Sequence, residues 1–152
     1  DMLPLGYVGK GFGHERVTNF TKDEQRTMMT LWCIFGSPLM LGAEMTKLDE
    51  WTLSLLTNRE VLGMLTPDCK PTQICRDKAK AIWKAYNAKE GSRYVALFNL
   101  SDAAAEVSVA LEDAELQAGV FLKELWSEEI VAVGEDFAAK IPAHGCVVYK
   151  VN

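Results

Sequence analysis

Eight short runs with strand-like composition fill the second half of the chain. Turn sequences such as "KEGS" and "PAHG" separate them, and no long helical pattern lies between them. In "EVSVAL", Val107, Val109 and Leu111 alternate with small residues, which is typical of a strand with one buried face. "YVALFNL" is apolar on both faces and predicts a central strand. Together the runs predict an antiparallel β-sandwich of about eight strands over residues 71–152.

The first seventy residues have a different pattern. Thr21 and Glu24 form a capping box and predict that a helix begins there. Gly36 and Pro38 predict its end. The apolar positions expected to face the core follow the helical period i, i+3, i+4, i+7: Met28, Leu31, Trp32 and Phe35.

Further short elements follow this helix. Residues 39–41, "LML", predict a strand that is buried on both faces. Residues 49–57 and the run "REVLGML" predict two more helices. The two prolines of "TPDCKPT" predict a domain boundary, with one unit at residues 1–70 and a second at 71–152. Because the first unit offers at most two parallel-type strands and a closed parallel barrel needs eight, it forms only part of such a barrel.

Charge and cysteine content narrow the range of partners and cofactors. The net charge is −5 and no run of Lys or Arg is present, which argues against nucleic acid and anionic membrane surfaces as partners. No apolar run approaches the roughly 20 residues that a membrane-spanning helix needs. The four cysteines form no CxxC pair, which disfavours a structural zinc site. A disulfide between Cys69 and Cys75 stays open, as does the cellular compartment.

Few residues stand at sequence positions where a catalytic or binding role would be expected. The four glycines between residues 6 and 13 fit no phosphate-binding motif and predict a tight loop. A small self-contained enzyme would use His14 and Glu15 together with another carboxylate such as Asp23. The simpler interpretation is that His14 and Glu15 are a solvated pair in a loop. His144 lies at a turn and is interpreted as structural. Asp1 precedes an apolar strand end, where a carboxylate is either a turn cap or part of a site.

Several stretches together are similar to one known family. These are "DML" followed by a glycine loop, "TKDEQRTMMTLWCIFGSPLMLGAEM", "LLTNREVLGM", "YVALFNLSD", "LKELWS" and "IPAHGCVVYKV". In this order they resemble the C-terminal third of α-galactosidases (melibiases) of glycoside hydrolase family 27. The resemblance implies an α+β segment in which residues 1–70 are the last strand and helices of a (β/α)8 barrel. It also implies that the earlier barrel strands lie upstream of Asp1.

The resemblance further implies what the whole protein does. Members of this family are retaining glycosidases that use two carboxylates and no metal or organic cofactor. Both carboxylates belong to earlier strands, so no catalytic residue is expected here and the segment alone is expected to be inactive. Met2 and Asp1 are expected to be substrate-binding residues for a terminal α-galactose of an oligosaccharide. Related specificities, for α-N-acetylgalactosaminides or β-L-arabinopyranosides, stay open.

Two other expectations accompany this interpretation. A carbohydrate-binding or purely structural β-sandwich is the alternative, and a binding module would expose two or more aromatic rings on one face of residues 73–152. An apolar strand without a neighbour also favours self-association of the segment.

Overall fold

The computed structural model describes residues 2–151. This part of the chain contains ten strands and four α-helices. In chain order they are β1 (Tyr7–Val8), β2 (Arg16–Val17), α1 (Lys22–Ile34), α2 (Glu50–Thr57), α3 (Arg59–Leu62), β3 (Cys69–Arg76), β4 (Lys80–Asn87), β5 (Ser92–Asn99), β6 (Ala105–Val109), α4 (Leu111–Ala114), β7 (Phe121–Glu124), β8 (Ile130–Ala132), β9 (Phe137–Ile141) and β10 (Cys146–Val151).

The second half of the chain is an antiparallel β structure, as the sequence predicts. A six-stranded sheet has the order β3-β4-β5-β10-β7-β8, and a two-stranded sheet pairs β6 with β9. Eight of the ten described strands therefore lie between Cys69 and Val151. The count for residues 2–151 rises to ten because the first half adds the β1–β2 hairpin, which the sequence pattern did not predict.

Strand alternation divides the side chains of the large sheet between two cores. On β5, Tyr94, Ala96 and Phe98 belong to the core under the helices. Val95 and Leu97 belong to the core under β6 and β9. Because both faces are covered, β5 is apolar at every one of these positions.

The helices of the first half pack directly on the sheet of the second half. Met29 and Ile34 of α1 and Leu55 of α2 share one core with Phe98 and Val148. β3 begins at Cys69, at the end of the segment that links the helices to the sheet. The division of the chain at residues 70 and 71 stays a prediction.

Polar contacts fix the helices to the sheet at defined points. The indole Nε1 of Trp126 donates to Thr30 Oγ1 at 2.9 Å. Asn58 Nδ2 donates to the Leu125 carbonyl at 2.8 Å. Buried hydrogen bonds of this kind contribute only about 1 kcal/mol each, but they fix the relative position of the two layers.

Helix α1 begins as predicted but buries a different face. The side chain of Thr21 accepts from the Glu24 amide at 3.2 Å, and Glu24 Oε2 accepts from the Thr21 amide at 2.7 Å. The positions predicted to face inward are only partly buried, because α1 contacts both the N-terminal strand segment and the sheet. The buried residues of α1 are Gln25, Met29, Thr30, Cys33 and Ile34.

The prediction of a doubly buried strand at residues 39–41 is wrong. Leu41 makes a single parallel bridge to Leu3. Met40 is 56% exposed. Within residues 2–151 this segment has a strand neighbour on one side only, so its apolar side chains are not enclosed.

The Cys69–Cys75 disulfide is excluded by the position of both residues on β3. Six residues along an extended strand span roughly 20 Å, whereas bridged cysteines have Cα atoms about 4.4–6.8 Å apart. All four thiols are free. Burial raises the pKa of Cys33 to about 12 and that of Cys146 to about 11.

One buried side chain joins the ends of three strands. Asn99 Nδ2 donates to the carbonyls of Ala103 at 2.8 Å, Ile141 at 3.1 Å and Pro142 at 2.9 Å. Asn99 Oδ1 accepts from the amide and the hydroxyl of Ser101. The residue is 1% exposed. The Pro142 carbonyl also accepts from the Gly145 amide and the Ala103 carbonyl from the Ser101 hydroxyl, so removal of the Asn99 amide would cost each carbonyl one donor and the Ser101 amide its acceptor.

We therefore expect Asn99→Ala to lower the free energy of unfolding by about 2 kcal/mol, since several hydrogen bonds of one buried side chain would be lost together, including the acceptor of the Ser101 amide. Urea denaturation followed by Trp fluorescence would measure the change. Asn19→Ala, at an exposed loop position, is the matched control and should change stability by less than about 0.5 kcal/mol. Equal midpoints for the two variants would contradict the assigned role of Asn99.

We also expect one thiol to react quickly with a thiol reagent at pH 8. Cys75 is partly exposed, whereas burial raises the pKa of Cys33 and Cys146 and so lowers their thiolate fraction. Cys75→Ser should abolish the fast phase, and all four thiols should react in concentrated guanidinium chloride. A fast phase that persists in Cys75→Ser would refute this assignment.

Candidate functional site

The N-terminal strand segment lies beside residues 40–42 and defines the candidate site. The Leu3 amide donates to the Met40 carbonyl at 2.7 Å, and the Gly42 amide donates to the Leu3 carbonyl at 2.8 Å. This alternation is typical of a parallel ladder. The sequence predicted at most two parallel-type strands in this half; in the described residues the parallel pairing is limited to the isolated Leu3–Leu41 bridge, and no named strand forms there.

Met2 lies at the edge of a shallow depression next to this bridge. The depression has a volume of about 210 Å³ and is lined by Met2, Gly9, Gly11, Leu41, Gly42, Ala43 and Glu44. Met2 is 53% exposed, so its thioether is available to a ligand. The predicted role of Met2 in binding substrate stays a prediction. Asp1, the second predicted binding residue, lies outside the described residues.

Glu44 is a feature of this depression that sequence reasoning missed. Its Oε1 accepts from the Thr46 amide at 3.2 Å and from Thr46 Oγ1 at 2.8 Å. The side-chain and then the backbone hydrogen bond from Thr46 lower the pKa of Glu44, so the group stays ionised at neutral pH. The sequence feature that could have indicated Glu44 is an acidic residue directly after the "SPLMLGA" stretch.

The glycine loop positions this depression. Gly6 has φ of +61°, and its amide donates to Gln25 Oε1 at 3.0 Å. The Thr18 amide donates to the Gly6 carbonyl at 2.7 Å. A Cβ on Gly6 would lie 2.3 Å from Thr52 Oγ1, so only glycine allows the loop to pack against α2. The tight-loop interpretation agrees with this geometry.

The His14–Glu15 pair is not assembled as an acid–base site. Glu15 Oε2 accepts from Tyr7 Oη at 3.1 Å and pairs with Lys47 Nζ at 3.2 Å. The hydrogen bond to Glu15 raises the pKa of Lys47. Asp23, the other carboxylate considered, pairs with Arg26 on α1 at 3.6 Å. These carboxylates therefore serve separate ion pairs.

His144 has a structural environment, in agreement with the sequence interpretation. Its carbonyl accepts from Thr27 Oγ1 at 2.8 Å, which joins α1 to the turn before β10. Its Nε2 lies 3.0 Å from Asp102 Oδ1. Its φ is +54°.

The described lining of the Met2 depression does not contain the pair of carboxyl groups that a retaining glycosidase uses. Retaining enzymes place two carboxyl groups about 5–5.5 Å apart, and one of them must deliver a proton. In the described lining of the depression, Glu44 is the only acid, and its pKa is lowered rather than raised. Within residues 2–151, no cluster of three metal-ligating side chains is present. In the same range, no helix has the length and hydrophobicity to cross a bilayer.

We expect Gly6→Ala to destabilise the protein by at least about 2 kcal/mol. A left-handed alanine costs roughly 1–2 kcal/mol, and the overlap with Thr52 adds to this cost. Gly11→Ala is the control, because a Cβ at Gly11 meets no atom within 4 Å. Thermal unfolding of both variants would measure the difference, and a Gly6→Ala variant as stable as Gly11→Ala would contradict this packing.

Alignments with known proteins extend over the whole chain. Residues 77–151 match the family of the α-galactosidase C-terminal β-sandwich domain. A GH27 β-L-arabinopyranosidase from Geobacillus stearothermophilus superposes with a TM-score of 0.91 and 43% identity, over 100% of this chain and 36% of that chain. A provisional α-N-acetylgalactosaminidase from Bacillus halodurans C-125 superposes with a TM-score of 0.89 and 37% identity, over 99% and 38% of the two chains.

An α-galactosidase from Cyamopsis tetragonoloba is 27% identical over 159 residues, which cover 100% of this chain and 36% of that protein. The chain thus spans about a third of the relatives with which it aligns from end to end. The two solved structures superpose on both its helical layer and its β-sandwich. The chain therefore corresponds over its whole length to a C-terminal segment of glycoside hydrolase family 27 proteins, and its residues 77–151 match the α-galactosidase C-terminal β-sandwich domain.

Proposed function

We propose that the whole protein to which this chain belongs is a retaining glycosidase that removes terminal α-galactose from oligosaccharides. The observation that carries this proposal is the similarity of the chain, over its full length, to GH27 glycosidases. The reaction would need two carboxylates and no metal or organic cofactor. Both carboxylates would come from strands upstream of this segment, as the family resemblance implies.

In this proposal the segment contributes one edge of the sugar pocket. Met2 would pack its thioether against the apolar face of the sugar, and Asp1 would bind a sugar hydroxyl. The parallel bridge between Leu3 and Leu41 supports this role, because it holds the main chain at Met2. The β-sandwich would support that edge through the core it shares with α1 and α2.

A β-L-arabinopyranoside is a second candidate substrate, and sequence identity supports it. The identity to the β-L-arabinopyranosidase is 43%, compared with 27% for the Cyamopsis α-galactosidase. A β-L-arabinopyranoside has the ring configuration of an α-D-galactoside and lacks the C6 hydroxymethyl group. The two substrates would therefore share the contacts to the ring hydroxyls and differ only where C6 would lie. An α-N-acetylgalactosaminide is the third candidate, through the Bacillus relative.

The alternative of a carbohydrate-binding β-sandwich that presents two or more aromatic rings on one face has less support. Tyr86 and Phe121 are the exposed large aromatic residues of β4 and β7. Tyr86 shares the face of Ile82, which belongs to the core under β6 and β9. Phe121 shares the opposite face with Lys123, which pairs with Glu60 of α3. The two rings therefore do not form one platform. Self-association of the isolated segment stays a prediction.

The segment by itself should release no nitrophenol from nitrophenyl α-D-galactopyranoside, β-L-arabinopyranoside or N-acetyl-α-D-galactosaminide. The physical reason is that, by the family resemblance, the nucleophile and the acid/base belong to barrel strands upstream of this segment, and the described lining of the depression contains Glu44 as its one acid. The longer gene product that contains these residues should hydrolyse one of the three substrates. Turnover by the purified 152-residue chain, or inactivity of the longer product on all three, would refute the proposal.

In the longer product, Met2→Ala should lower kcat/KM by about tenfold, because it removes apolar contact with the sugar. Met45→Ala is the matched control, since Met45 is similarly exposed but does not line the depression. Equal kcat/KM values for the two variants would exclude Met2 from the binding of substrate.

A further inference from the structure

A row of three side chains crosses the edge of the six-stranded sheet. Lys70 on β3 pairs in register with Tyr86 on β4. Tyr86 in turn pairs with Arg93 on β5. Residues directly opposite each other on neighbouring strands share a face and have Cβ atoms about 4.5–5.5 Å apart. The aromatic ring therefore lies between two cations, and we call these three residues the Tyr86 row.

All three members of the Tyr86 row are exposed to solvent. Tyr86 has 45% of its surface accessible, although it lies on a strand whose neighbours are mostly buried. An exposed aromatic ring in the middle of a sheet loses the stabilisation that burial would give it. The ring is therefore available to a ligand.

The two cations of the row form no direct ion pair in the described residues, although Arg93 lies near enough to Glu115 to lower the pKa of that carboxyl, after the larger effect of Lys84. Within residues 2–151, neither Lys70 nor Arg93 has a carboxylate within the 4.0 Å of an ion pair. The neighbouring Lys84, by contrast, binds Glu115 at 2.7 Å and the Asp113 carbonyl at 2.8 Å. Lys70 Nζ donates to the Pro67 carbonyl at 2.8 Å, which fixes its position and leaves its charge unpaired. In a chain of net charge −5, this local excess of cations is unusual.

A depression of about 160 Å³ adjoins the ring. Thr72, which pairs in register with Lys84, lies on the same face and lines it together with Ala114 and the Lys84–Glu115 ion pair. Ala85 and Tyr94 also border it, although their side chains belong to the core on the other face of the sheet. The site thus combines an accessible ring, a hydroxyl group and two cations around a concave surface.

We propose that the Tyr86 row binds an acidic oligosaccharide, with uronic acid residues as the ligand class. A pyranose ring has an apolar C–H face that packs on an aromatic ring, and a uronic acid adds one carboxylate per sugar. Strands about 4.8 Å apart place the backbones of Lys70 and Arg93 roughly 10 Å from each other, so two carboxylates of one oligosaccharide reach both cations.

A nucleic acid fits this site less well. Such a polyanion carries one phosphate per nucleotide and is bound through many Lys and Arg contacts. The Tyr86 row offers only two cations, and the carboxylate of Glu115, which pairs with Lys84 and also interacts with Arg93, would repel a denser polyanion. Two cations and one ring match the charge density of a short uronic acid oligomer.

Titration of the 152-residue chain with trigalacturonic acid, followed by isothermal calorimetry at low salt, tests this proposal. Galactotriose is the neutral control ligand. We expect binding of the acid that is at least tenfold tighter than binding of galactotriose and that weakens as salt rises. Equal affinities for the two ligands, or no heat from trigalacturonic acid at millimolar concentration, would overturn the proposal.

Matched variants locate the binding on the sheet. Tyr86→Ala and Arg93→Gln should each weaken binding of trigalacturonic acid by fivefold or more. Phe121→Ala, an exposed ring on the opposite face, and Lys78→Gln, an exposed cation outside the row, are the controls and should change affinity by less than twofold. Far-ultraviolet circular dichroism confirms that each variant is folded. Control variants that weaken binding as much as the row variants would assign the effect to nonspecific charge and overturn the proposal.

Discussion

Burial of both faces of the six-stranded sheet is the constraint on which the rest of the structure depends. On one face, Phe98 and Val148 pack with the helices of the first half. On the other, Leu97 and Ile82 pack with β6 and β9. Because the first of these cores includes residues from both halves of the chain, the helices and the sheet stabilise each other. Truncation on either side of the link would expose apolar surface worth about 25 cal/mol per Å².

The same core fixes the position of the candidate sugar-binding edge. Leu3 and Leu5 are buried beside Met29 and Cys33 of α1. Gln25, on the same helix, holds the Gly6 amide. Met2 therefore lies at the end of a segment that is anchored by packing and hydrogen bonds rather than in a free terminus. In the proposed function, this anchoring is how the β-sandwich would support the sugar-binding edge.

The proposed Tyr86 row lies on the sheet, away from the residues that line the Met2 depression. It would bind its ligand through different interactions. At the depression an apolar thioether and glycine backbone offer close approach. At the sheet edge an exposed ring and two unpaired cations offer stacking and charge. A protein with both features would bind a chain of sugars at one surface and cleave a terminal sugar at another. The binding and hydrolysis experiments test these two surfaces independently.

Local sequence was sufficient for most of the secondary structure. The capping box at Thr21 and Glu24 is a contact within one turn, so its residues predict the start of α1 directly. Alternation and turn residues likewise predict the eight strands after Cys69, since each depends on neighbours along the chain. The family resemblance rested on motifs of the same local kind. Met2 could be singled out only through that resemblance, because no local pattern marks a binding methionine.

Only the tertiary structure shows which faces of the helices and strands are buried and which side chains contact each other. Helix α1 buries Met29 and Cys33 instead of the predicted stripe because it is packed from two sides. Cys69 and Cys75 are close in sequence, but a single extended strand keeps them apart. Glu44 and the Tyr86 row depend on contacts between separate elements. The sequence by itself therefore determined the elements and the family, whereas the pairing of distant surfaces required the fold, because burial depends on neighbours that are remote along the chain.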